Sequence, residues 1–317
     1  MMRIRFRIIL LGLLAALALA STYLFHSTTP LKLGTNLWPG YEPLYIARNL
    51  ELLSEQDVAL VELPSASEVM RAFRNGAIDA AALTLDEVIN LRRMGLEPVI
   101  IQVTNISMGA DVILARPGID SFEVLKGKRV GLEASALGAY MISRALEINQ
   151  MSPDDIVMVP LEVNDHIQAF RRGEVDALVT FDPVPQQIGV DQAVRLFDSS
   201  SLPGEIVDVI VVRQNLLEHK QVRRIIEAWN RTLAFIEAEP ERSAVMMSER
   251  LGVSPQLVLQ SLEGLELPRQ AETAALMSGK APPLEQQLQR LAAIMQANGL
   301  IDHIPELEGL VYSRYPE

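Results

Sequence analysis

The side chains able to do chemistry in this sequence suit binding rather than catalysis. Trp38 and Tyr41 lie in Leu37-Trp38-Pro39-Gly40-Tyr41-Glu42-Pro43, where Pro39-Gly40 fixes a tight path and two rings can wall a small molecule. The other use of such a Trp is as a hydrophobic plug beneath its own loop. Ser135 lies in Ala134-Ser135-Ala136-Leu137-Gly138, between a strand and a helix. Its hydroxyl and the free N–H groups beside it can hold a ligand oxygen, and it can equally serve as a plain N-cap. Thr84 and Asp86 follow one strand and Asp182-Pro183 follows another, while Ser65 heads a helix in the loop 64–68. Carboxylates at such places are more often solvated than bound to a ligand, although these loops should face the cleft. Ser107 and Asp111 flank Met108-Gly109-Ala110, and no Lys or Arg lies within four residues of Asp111.

Catalytic signatures are absent. There is no Gly-x-Ser-x-Gly elbow, no Gly-x-x-x-x-Gly-Lys loop and no metal-ligand spacing, and His26, His166, His219 and His303 are scattered. No catalytic residue, metal or cofactor is therefore expected. Lys plus Arg number 28 against 40 Asp plus Glu, a net charge of −12, which disfavours a nucleic-acid partner. With no cysteine, disulfides, thiolate metal sites, cysteine nucleophiles and lipid attachment through cysteine are excluded. The 317 residues are 49% hydrophobic and 21% charged, a globular composition with room for two domains.

The elements that must position these residues begin after a targeting segment. Arg3, Arg5 and Arg7 precede an apolar run from Ile8 to Ala20, and Ala18-Leu19-Ala20 supplies a small-x-small cleavage site before Ser21. Read on through Phe25, the run 8–25 is near the shortest that spans a bilayer, so residues 1–30 are either a cleaved signal or a retained membrane anchor. Either way the remainder is exported.

An internal repeat organises the rest of the chain. AFRNGAIDA (72–80) and AFRRGEVDA (169–177) share six of nine residues at an offset of 97, and Leu33-Gly34 matches Val130-Gly131 at the same offset. Each unit reads strand, helix, strand, helix, strand. The first has strands at 32–36, 58–63 and 77–83 with helices at about 44–53 and after Ser65 or Ser67; the second has strands at 129–133, 155–161 and 175–180 with helices at about 135–148 and 164–172. That alternation predicts an α/β fold of two similar lobes with parallel-rich sheets. Ligands in such sheets sit at the carboxyl ends of the strands, here the loops 37–43, 64–68, 84–87, 133–138, 161–165 and 181–185. Asp111-Val112-Ile113 and Asp208-Val209-Ile210 read as antiparallel neighbours crossing between the lobes as hinge strands, with two ordinary core strands as the alternative. The expected division is 31–110 plus 212–317 for lobe one and 113–207 for lobe two. Helices from about 219 onward, with Trp229 in the core, extend lobe one.

Taken together, LWPGYEPLYIARNL (37–50), NGAIDAAALTLDEV (75–88), SMGADVILAR (107–116), KGKRVGLEASALGAYMISRAL (126–146), GEVDALVTFDPV (173–184) and GEIVDVIVVR (204–213) resemble the extracytoplasmic substrate-binding proteins of ABC importers. The wording is of the nitrate, sulfonate and taurine type, which includes binders of thiamine pyrimidine precursors, and the resemblance spans 31–317. It implies a periplasmic binding protein-like fold, a location in the periplasm or on the outer face of the cytoplasmic membrane, and capture of a small polar solute for an ABC permease and its ATPase. A membrane-anchored ligand-sensing subunit of a signalling system is the alternative. By that resemblance Trp38, Tyr41, Ser65, Thr84, Asp86, Ser107, Asp111, Ser135 and Asp182 are the candidate ligand-binding residues. A buried carboxylate at Asp111 needs a partner, and Asp86, Glu133 and Asp182 add negative charge to the same cleft. The expected ligand thus carries an amine, amidine or aminopyrimidine group, with its polar tail at Ser135. The rival is an anion such as nitrate or an alkanesulfonate, with Asp111 merely bracing the hinge.

Overall fold

Both halves of the repeat build the same alternation of strand and helix. The computed structural model describes residues 29–189, 191–312 and 314–315. The first half supplies β1 (Leu31–Thr35), α1 (Glu42–Asn49), β2 (Val58–Glu62), α2 (Ala66–Arg74), β3 (Ala80–Thr84), α3 (Leu85–Arg93), β4 (Pro98–Ser107) and β5 (Asp111–Ala115). The second supplies β6 (Arg129–Leu132), α4 (Leu137–Ile148), β7 (Val157–Pro160), α5 (His166–Arg172), β8 (Ala177–Phe181), α6 (Val184–Ile188), β9 (Val194–Asp198) and β10 (Val207–Arg213). A tail completes the chain, comprising α7 (Lys220–Ala238), α8 (Pro240–Leu251), α9 (Pro255–Glu263), β11 (Leu265–Glu266), α10 (Gln270–Met277) and α11 (Pro283–Ala297). The apolar run 8–25 lies outside the described residues. Among those described, no helix is long and apolar enough to cross a membrane.

Local sequence sets many of the boundaries. Ser65, rather than Ser67, caps α2 by accepting the Glu68 N–H at 3.3 Å, and Val69, Met70 and Phe73 bury one face at helical spacing. Ser135 does not cap α4. That helix begins two residues later, with Ala136 at the N-cap and no side-chain cap from the N-cap residue itself.

The strands form two mixed sheets, ordered β11-β4-β10-β3-β1-β2 and β7-β6-β8-β5-β9. β1 pairs in parallel with β2 and β3, and β6 with β7 and β8, as consecutive strands joined by helices must. The two Asp-Val-Ile strands are not antiparallel neighbours of each other. β5 pairs with β8 and β9 in the second sheet, and β10 pairs with β3 and β4 in the first. Each last strand of one repeat unit is inserted into the sheet of the other, and both are buried core strands. The offset of 97 explains it: Asp111 pairs with Phe181 and Asp208 with Thr84, both relations displaced by one repeat. At their ends the Arg116 guanidinium covers Phe170 at 5.1 Å and Arg213 covers Phe73 at 4.4 Å, again 97 apart.

The chain passes between the sheets at 108–110 and at 199–206. Gly109 makes the first crossing with φ at 129°, a conformation L side chains seldom adopt. Its N–H donates to Ser199 Oγ at 2.6 Å, and Ser107 Oγ meets the same oxygen at 2.7 Å, so the two crossings are tied together. The first sheet shares one apolar core with the tail helices, where Trp229 is fully buried. The second sheet carries separate apolar clusters that include Met141 and Phe170.

Candidate functional site

The carboxyl ends of the parallel strands in both sheets face one another across a cleft whose empty space, mouth included, is about 530 Å³. From the first lobe come Asn36 beyond β1, Trp38 and Tyr41 in the loop before α1, Thr84 at the end of β3, Glu87 in the first turn of α3 and Asp208 on β10. The second lobe contributes Glu133 beyond β6, Leu137, Gly138 and Met141 on α4, His166 at the start of α5, Thr180 and Phe181 ending β8, and Asp111 on β5. No Lys or Arg is among these described lining residues.

The floor is built on the two repeat-related aspartates. Tyr41 donates its phenolic proton to Asp208, which leaves Asp208 satisfied. Asp111 is asymmetric with it: its own N–H goes to Ser107 Oγ at 3.3 Å, while the carboxylate Oδ2 is buried without a partner. Burial pushes the Asp111 carboxyl up to about 7, against a hydrogen bond from Ser107 and with Asp182 and Asp86 adding to the rise. Asp208 and Glu87 are likewise raised well above the usual carboxylate range by burial, Glu87 also by neighbouring Asp86. Asp86, one step behind the wall, accepts the Thr84 hydroxyl at 2.6 Å and is pushed up by burial to about 6.

Two other buried groups on the wall lack partners. The Trp38 indole N–H is unpaired while its ring meets Phe181 of the other lobe edge-on at 5.5 Å. His166 places Nδ1 3.1 Å from Thr180 Oγ1 and leaves Nε2 free; burial pulls it down to about 4. Its ring resonances are accordingly expected not to titrate between pH 5 and pH 8. An NMR titration showing a midpoint in that window would contradict a buried neutral imidazole.

Gly40 explains the seat of the indole. A Cβ there would lie 2.2 Å from Asn105 Nδ2 and 2.4 Å from Trp38 Nε1. Gly40→Ala should therefore displace Trp38, red-shift its emission over the constant background of buried Trp229, and cost about 1–3 kcal/mol of stability. Emission and stability both unchanged would show that the loop has slack.

Of the residues singled out from sequence, Trp38, Tyr41, Thr84 and Asp111 line this cavity. Ser65 is buried at the start of α2 and donates to Glu162 at 3.0 Å. Ser107 belongs to the tie between the crossings, and Asp182, buried next to Phe181, has its Oδ1 without a partner and lies outside the cavity lining. Ser135 sits exposed at the cleft mouth with its hydroxyl 2.5 Å from that of Ser67. Sequence reasoning did not select Glu87, Glu133, His166 or Asp208 as ligand-binding residues. The repeat itself carried a signal for Asp208, since Asp111 maps onto it at 97 residues.

Several bonds cross the cleft. Glu133 Oε1 accepts the Ser67 N–H at 2.8 Å, Glu87 Oε1 accepts the Leu137 N–H at 3.3 Å, and Gln186 Nε2 donates to Ser261 Oγ at 3.3 Å. The lobes are thus in contact around the cavity.

Comparisons with known proteins place this architecture. Residues 26–248 match the NMT1-like family. The alkanesulfonate-binding protein SsuA of Xanthomonas axonopodis pv. citri, solved bound to MOPS, superposes with a TM-score of 0.74 at 19% identity, over 90% of this chain and 97% of that one. The periplasmic nitrate-binding protein NrtA of Synechocystis gives a TM-score of 0.72 at 13% identity, over 86% and 82% of the two chains. A protein of Escherichia coli named for binding aliphatic sulfonates is 22% identical over 286 residues, 86% of this chain and 90% of its own. The shared fold is the two-lobed α/β architecture of type II periplasmic binding proteins.

Proposed function

This chain belongs to the NMT1-like family, and from that footing we propose that it is the solute-binding component of an ABC import system, capturing a small cationic molecule between its lobes. Its action is capture and release, with no bond made or broken. The captured solute passes to a membrane permease driven by an ATPase, and the binding lobes work in the periplasm or on the outer face of the cytoplasmic membrane. The moving bodies in this reading are residues 31–107 with 207–315 and residues 111–198, pivoting at the two crossings.

One observation carries the choice of ligand: the cavity is walled by Glu87, Glu133, Asp111 and Asp208, with no described Lys or Arg on its lining, and Asp111 Oδ2 has no partner. A sulfonate or nitrate placed there would face carboxylates. A protonated amine, amidine or aminopyrimidine would pair with Asp111 and lay its apolar part against Trp38, Phe181 and Met141. The solved relatives named for sulfonate and nitrate share the architecture, while the charge of the site belongs to this chain.

The test is a thermal-shift screen with small amines, amidines and aminopyrimidines on one side and alkanesulfonates and nitrate on the other. A melting temperature that climbs with the concentration of a cation supports the reading. Stabilisation by an anion, with none by any cation, overturns it.

A further inference from the structure

Resting on this cleft as the capture site, we propose that Glu87 and Glu133 set its charge selectivity by standing in, from within the chain, for an anionic ligand. Each reaches from one lobe to the start of a helix on the other. Glu133, beyond β6, accepts the Ser67 N–H in the first turn of α2 at 2.8 Å, and Glu87, on α3, accepts the Leu137 N–H that opens α4 at 3.3 Å. Helix starts attract anions because their first N–H groups have no partner within the helix and carry the positive end of its dipole. α4 has no side-chain cap of its own, so the carboxylate from the opposite lobe is what satisfies it.

The surroundings of Glu133 are those of an oxyanion. The hydroxyls of Ser65, Ser67 and Ser135 gather at the same place: Ser67 and Ser135 meet at 2.5 Å, and Ser65 donates to Glu162 at 3.0 Å. Burial raises the Glu133 carboxyl above its usual range and neighbouring Glu162 adds to the rise, while hydrogen bonds from Ser67 and Ser65 pull the other way. The adjoining cavity supports a ligand on separate grounds. Asp111 Oδ2, Trp38 Nε1 and His166 Nε2 are all buried on its wall without partners. With carboxyl oxygens already seated on both helix starts, an incoming anion finds these donors taken. A bound cation draws the same buried carboxyls into their charged form and is attracted by them. Charge selectivity is therefore located in two residues rather than spread over the fold.

Removing one internal anion should open the seat. Glu133→Ala frees the Ser67 N–H, the serine hydroxyls and the volume of the side chain. Methanesulfonate and nitrate, compared with chloride at equal ionic strength, should then raise the melting temperature of the variant with the logarithm of their concentration. The gain in anion affinity over wild type should be about tenfold or more, the effect of a regained charge-assisted hydrogen bond. Glu133→Gln keeps the bulk and an oxygen on Ser67 N–H, and should stay unresponsive. Glu133→Ser reads the same gain should the alanine variant not fold. A purely structural role for Glu133 would shift the starting melting temperature without creating a response to anions. The proposal is overturned if the folded variant ignores both anions, or if wild type is already stabilised by them. The cation screen on wild type is unaffected by either failure, so the capture reading is judged separately.

Discussion

Without ligand, the protein is expected to melt at a higher temperature at pH 5 than at pH 8. Burial holds the Asp111 and Glu42 carboxyls at about 7 and Asp86 at about 6, and raises Glu87 and Asp208 well above their ordinary range. Between pH 4 and 7 the folded chain therefore keeps protons that the unfolded chain has released. His166, held neutral at about 4, opposes this by losing stability as pH falls below 6.5. The several raised carboxyls outweigh one histidine, so stability should fall as pH rises through this window and recover as it drops. From pH 7 to pH 5, Asp111 alone accounts for roughly 2 kcal/mol at about 1.4 kcal/mol per unit, since it is already half deprotonated at pH 7. Arg250 opposes the rise at Glu42, which it contacts at 3.1 Å, so that group contributes in the same direction with its neighbour pulling against it. Asp176 beside Arg129 and Glu205 beside Arg144 are shifted downward, and their contribution is lost only below pH 5. Calorimetric melts across a pH series decide the matter. A melting temperature that is flat or declining from pH 8 to pH 5 would mean that the cleft carboxyls are not buried in the free protein.

Replacing Asp111 by Asn should move stability and binding in opposite directions. At pH 8 the variant no longer buries a charge without a partner, so the free protein should be more stable than wild type and its pH dependence shallower. For a cation identified by the thermal screen, affinity should fall by about 1.5–3 kcal/mol, the loss of a charged hydrogen bond. Asp208 is the internal control, because Tyr41 already donates to it. Asp111 differs in that its Oδ2 is buried without a partner. Titration calorimetry at pH 8 reads both effects. Unchanged or tighter binding in the variant rules out the cationic ligand at this residue.

Much of the fold was legible because its signals are local or repeated. AFRNGAIDA and AFRRGEVDA end α2 and α5 and enter β3 and β8, so the same helix-to-strand step recurs in each lobe. Ser65, one of the two starts the sequence offers, caps α2. Trp38, Tyr41 and Thr84 could be placed near a ligand from strand ends alone. α3, in the stretch after Thr84, is not among the helices expected from sequence. Its capping box, Thr84 with Glu87, was nonetheless present as a Thr-x-x-Glu pattern.

The residues alone were sufficient for two α/β units, for the ends of their strands and for a chain without thiol chemistry. Those properties arise from periodicity, caps and composition, which act over a few residues. Only the tertiary structure assigned the Asp-Val-Ile strands to opposite sheets, because an apolar strand has no local mark of which neighbour it will pair with. Exchanging them between the repeat units brings Asp111 and Asp208 into one cavity though they stand 97 residues apart. It is likewise the facing lobe that satisfies the helix starts, Glu133 for α2 and Glu87 for α4, in place of a cap from Ser135. A backbone N–H takes the acceptor that reaches it within hydrogen-bond distance, and that distance is set by how the two lobes close.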